Sequence, residues 1–191
     1  RIRLDPEGPP QTLAYLLEAD FPESHADLEE RVSRLLGTLD QGTVFEALAE
    51  DGDPIRRTYG EIWSGIRRRE RRRALVGIFE GLVERRGISG GLAESLLHRT
   101  ASEEGFLDRN LRFVKSLLAS ADDASSRRML DLARGTSDGP REEAARLARL
   151  LVVLSGAVPA VAVEVQELLG RWESLLPGVG LKAYHARLGT A

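Results

Sequence analysis

LEERVSRLLGTL, residues 28–39, decides the fold class. Leu28, Val32, Leu35, Leu36 and Leu39 follow one another at steps of four, three, one and three. At 3.6 residues per turn these positions fall on one stripe, with Glu, Arg and Ser on the opposite side. Ser24, followed three residues later by Asp27, is a capping pair just N-terminal to that stripe.

The same period recurs along the chain. Thr43 and Glu46 repeat the capping signature before Val44, Phe45 and Leu48. Pro54 suits the first turn of a helix carrying Ile55, Tyr59, Ile62, Trp63 and Ile66. Further stripes are Leu75, Ile78, Phe79, Leu82 and Val83, then Phe106, Leu107, Leu111, Val114, Leu117 and Leu118. Leu147, Leu150, Leu151 and Leu154 follow, and then Val161, Val165, Leu168, Leu169 and Trp172. Strand-like alternation is confined to Val161–Val165, and its neighbours favour helix. The expectation is an all-α fold.

Turn-forming residues separate the stripes at Asp20–Pro22, Asp40–Gly42, Asp51–Pro54, Gly87–Gly91, Ser120–Ser125, Gly135–Pro140, Ser155–Pro159 and Pro177–Gly180. They predict about ten helices, and short loops make sequential helices antiparallel. Taken in pairs, the breaks near 21, 54, 88, 122 and 156 lie about 33 residues apart, the length of a helix–turn–helix repeat. No repeated consensus residues accompany that spacing. A helical bundle and a short, irregular HEAT-like solenoid therefore stand side by side.

The chain of 191 residues is 42% hydrophobic and 30% charged, which describes one globular domain over 1–191. Aromatics are 5%, sparse enough to suit Leu and Ala packing between helices. Residue 1 is Arg and the only Met is Met129, so the domain reads as part of a longer chain or one lacking its initiator. There is no cysteine, which excludes disulfides, thiolate chemistry and cysteine-bound metals. The most apolar stretch, Leu150–Val163, is 14 residues long, short of the ~20 a bilayer requires. Arg149 and Glu164 close it and Pro159 interrupts it, so a buried helix pair and a cytoplasmic location are expected.

All but two of the 27 basic residues are arginine, against 30 acidic ones. The densest charge run is Arg67-Arg68-Arg69-Glu70-Arg71-Arg72-Arg73. On a helix it would carry charge around most of the circumference. The stripe before it and the stripe after it point about 180° apart at 100° per residue. Either the chain breaks near Gly65, or one long helix passes from one layer into another across an exposed middle. The run reads first as a solvated face paired with acids. As a binding site, Arg67, Arg68, Arg69, Arg71, Arg72 and Arg73 would hold an acidic protein segment through bidentate carboxylate contacts. Nucleic-acid phosphate is the second ligand, opposed by the net charge of −3 and the lack of an aromatic platform in the run.

Catalytic signatures are missing. His25, His98 and His185 lie in separate elements, and no HExxH, Walker or GxGxxG pattern occurs. Gly87–Gly91 reads as a turn between helices. The acid pairs Glu29-Glu30, Glu103-Glu104, Asp122-Asp123 and Glu142-Glu143 fall near helix N-termini, where the dipole favours them. His98 reads as a partly buried residue at a helix end, and Trp63 and Trp172 as core anchors. No metal and no cofactor are expected. The favoured function is non-catalytic protein–protein interaction, regulatory or scaffolding; a nucleic-acid-associated protein comes second and an enzyme with a scattered site third.

Overall fold

The computed structural model describes residues 25–49, 59–135 and 141–175. Every regular element among them is helical. They comprise α1 (His25–Leu36), α2 (Gln41–Leu48), α3 (Tyr59–Arg86), α4 (Gly90–Ser102), α5 (Phe106–Leu118), α6 (Asp123–Gly135), α7 (Arg141–Ala157) and α8 (Ala162–Leu175). A 3-10 turn, Pro159–Val161, separates the last two. The capping residue Ser24, Pro54 and the stripe position Ile55 lie outside the described residues. So do the breaks at 20–22, 51–54 and 177–180.

The opening stripe stops earlier than its spacing implies. α1 ends at Leu36, and Gly37 begins a turn in which Thr38 and Leu39 bond back to Leu35 and Leu36 carbonyls. Leu39 still packs on the core from that turn. The next cap also differs from the expected pair: Asp40, not Thr43, is the N-cap of α2, and its carboxylate accepts the Thr43 N–H at 2.9 Å. Asp takes this position as readily as Thr, so the helix begins about one turn earlier than the Thr–Glu pattern implies.

The chain does not break near Gly65. α3 runs unbroken for 28 residues. In its second half Leu75, Phe79, Leu82 and Val83 are buried, while Arg73 and Ala74 are exposed, as is Glu70 before them.

Helices pack by alternation: α1 on α3, α2 on α4, α3 on α5, α4 on α6, α5 on α7 and α6 on α8. α4 also lies against α7, and α7 against α8. One continuous apolar core runs through them. Phe45, Phe79, Phe106 and Phe113 cluster at its centre, with ring centroids 5.7–6.3 Å apart along the chain of contacts. That cluster ties α2, α3 and α5 together. Trp172 is 1% exposed on α8, as the core-anchor reading expected. Its Nε1 and the Ser126 Oγ are buried without a hydrogen-bond partner among the described residues.

α2 and α4 approach closely because two glycines let them. A Cβ on Gly42 would lie 2.6 Å from the Gly91 carbonyl, and one on Gly91 would lie 2.7 Å from Asp40 Oδ1. The turn before α4 holds Gly87 at φ 76, left-handed backbone that L side chains rarely adopt. Gln41 clamps this turn from one side, donating to the Gly87 carbonyl and accepting the Ser89 N–H. Ser125 donates to the Ile88 carbonyl from the other side. The glycine-rich stretch is thus a helix–helix turn, as its composition implied.

Candidate interaction surfaces

α3 carries the conspicuous charge of the molecule. Its 28 residues include eight arginines and four glutamates, in a chain whose net charge is −3. The whole run 67–73 therefore lies on one continuous helix. The side chains of Arg67, Arg68, Arg69 and Arg71 lie outside the described residues, as does that of Trp63. Arg72 turns inward. Its Nε donates to the Leu48 carbonyl at 2.6 Å, and Nη2 lies 3.4 Å from Asn110 Oδ1. Arg73, next to it, is exposed and makes no hydrogen bond or ion pair among the described residues.

Arg72 belongs to a recurring arrangement. The last carbonyls of a helix lack intrahelical donors and carry partial negative charge. Arg72 supplies a donor at the end of α2, Arg86 does so for α1 through the Gly37 carbonyl at 2.6 Å, and Arg146 for α4 through the Ala101 carbonyl at 2.7 Å. Each arginine comes from a different helix than the one it caps. Arginines outside the run pair with acids. Arg99 bonds Glu46 at 3.2 Å and Glu103 at 2.6 Å, with its guanidinium 5.2 Å from the Phe106 ring centre. Arg149 holds Asp108 through both carboxylate oxygens. That hydrogen bond, reinforced by the nearby positive charge, lowers the Asp108 carboxyl below its ordinary pKa.

Two grooves open between helix pairs. The first, between α1 and α3, encloses about 570 Å³ and is lined by Glu30, Ser33, Arg34, Gly77, Ile78, Gly81, Leu82, Arg85 and Arg86. The second, between α5 and α7, encloses about 590 Å³; Leu107, Leu111, Val152 and Val153 line it, with Lys115 and Arg149 also on its walls. Neither groove was visible in the sequence. Both form where alternating helices separate at the surface.

The candidate chemistry of single residues resolves plainly. His98 is exposed on α4 rather than partly buried, and it is its backbone carbonyl that is engaged, by Ser102 Oγ at 2.7 Å. Asp122 is a cap. Its carboxylate accepts the Ser125 N–H at 2.7 Å, and this backbone bond lowers its pKa. Glu142 lies in the first turn of α7. Among the described residues no group of three His, Asp or Glu side chains is placed to hold a metal ion, and no helix is long and apolar enough to cross a membrane.

Compared with known protein families, curated proteins and solved structures, the chain matches none.

Proposed function

We propose that this chain is a non-catalytic protein-interaction domain, a short irregular solenoid that scaffolds or regulates a partner presenting carboxylates to α3. The observation that carries the reading is the segregation of charge. Eight arginines against four glutamates on one helix stand in an otherwise acidic molecule. A guanidinium binds carboxylate in two parallel hydrogen bonds, which gives orientation as well as attraction. The alternating helix contacts support the solenoid arrangement, in which each unit touches its neighbours and leaves grooves between them.

The test uses two defined probes, a glutamate-rich helical peptide and a short DNA duplex, titrated against the protein over a range of salt. The variants are Arg69→Gln with Arg73→Gln, and the same two positions changed to Lys. Arg72 is left intact because it caps α2. The peptide is expected to bind more tightly than the duplex, the Gln pair to weaken it, and the Lys pair to restore it only partly. The reading is overturned if the duplex binds more tightly, Lys restores its full affinity, and the salt slope falls by about one per lost contact.

A further inference from the structure

We propose that the groove between α1 and α3 is the docking site for an acidic amphipathic helix of a partner protein. The inference rests on the interaction reading above and names the surface and the ligand chemistry. Three guanidinium groups from two helices, Arg34, Arg85 and Arg86, line the groove, against one carboxylate, Glu30. That carboxylate is already bound by Arg34 at 2.6 Å. Arg86 spends one nitrogen on the Gly37 carbonyl. Arg85 is exposed, and its Nη2 donates to Ser33 Oγ at 3.5 Å. A guanidinium has five N–H donors, so Arg85 and Arg86 retain donors for an incoming acceptor. The excess positive charge selects carboxylates for that role.

The floor says what kind of segment fits. Gly77 and Gly81 lie one turn apart, and among the described residues no packing uses their missing side chains. Among the described residues a Cβ on Gly77 would meet nothing within 4 Å, and one on Gly81 only Arg85 Nη1 at 3.6 Å. Glycine disfavours helix interiors, so its use twice on an open face leaves the α3 backbone accessible to close approach. Ile78 and Leu82 add an apolar strip beside it. A helix with small or aliphatic residues on one face would sit on that floor, with carboxylates one turn apart reaching the arginines on the walls.

The probe is a short helical peptide with glutamates at i,i+4 beside an alanine and leucine face, together with its glutamine analogue. Affinity is read by fluorescence anisotropy, and the site by shifts of the Ile78 and Leu82 methyl signals. The glutamate peptide is expected to move both methyl signals, and the glutamine analogue to bind about tenfold more weakly. Gly77→Gln and Gly81→Gln place a side chain in the groove, and a Cβ at either position meets no conflict among the described residues. Each is expected to raise the melting temperature while weakening the peptide about tenfold. Arg85→Gln should weaken it from the wall side. The proposal is overturned if the glycine variants bind as the native chain does, or if the two methyl signals stay still. Loss of affinity only in the Arg69 and Arg73 variants would retain the interaction reading and discard this groove. Preference for duplex DNA would discard both.

Discussion

Arg72 and Arg73 are neighbours in one charge run, yet they face different environments. Arg72 satisfies the Leu48 carbonyl and reaches Asn110, whereas Arg73 projects into solvent. Arg72→Ala should cost about 1.5–3 kcal/mol, the range for hydrogen bonds to charged groups, while Arg73→Ala stays within about ±0.5 kcal/mol. Equal denaturation midpoints for the two would refute the inward role. Nothing in the repeated arginines distinguished them, because the distinction comes from where the end of α2 arrives. Trp172 offers a second contrast. Trp172→Ala should cost about 3–5 kcal/mol by emptying a core site. Trp172→Phe should cost clearly less, since among the described residues the Nε1 N–H makes no hydrogen bond that the change would break. Urea unfolding of both variants measures the difference.

Helical spacing made most of the elements legible: the stripe leading into α8 is buried throughout, whereas in α5 Leu111 is only half-buried and Phe113, outside the stripe, joins the core. Caps and contacts between elements were less legible. Asp40 and Gln41 looked like parts of a break, yet one caps α2 and the other clamps the turn before α4, because their partners lie 46 and 48 residues away in the second case. Glycines show the same dependence on context. Gly77→Ala should stabilise α3 by about 1 kcal/mol, because its Cβ meets no atom of the described residues within 4 Å. Gly42→Ala should destabilise the protein, because its Cβ would strike the Gly91 carbonyl at 2.6 Å. Opposite shifts in melting temperature are the expected result. At the start of α6, Asp122 ionises at lower pH when folded than when unfolded. Its contribution is therefore present above about 3.8, its ordinary value, and fades as pH falls through the lower folded value. Asp122→Asn keeps a competent cap and should flatten that acid-side decline in a pH series of thermal melts.

Across the whole molecule, α4 packs against α2, α5, α6 and α7, with Leu92, Ala93, Leu96, Leu97 and Ala101 buried. Amide exchange should be slowest there and faster in α1 and α8, which have fewer helices beside them. Uniform protection along the chain would contradict this gradient. Elsewhere in the core, leucine and alanine faces match one another in many ways. A helix displaced along its neighbour by one turn, about 5.4 Å, would still set apolar side chains against apolar side chains. The guanidinium caps do not tolerate that displacement. Arg72, Arg86 and Arg146 each reach one carbonyl at one helix end, and a slip of one turn would remove that acceptor from reach. The three arginines therefore act as alignment pins, rejecting shifted neighbours that hydrophobic matching alone would accept.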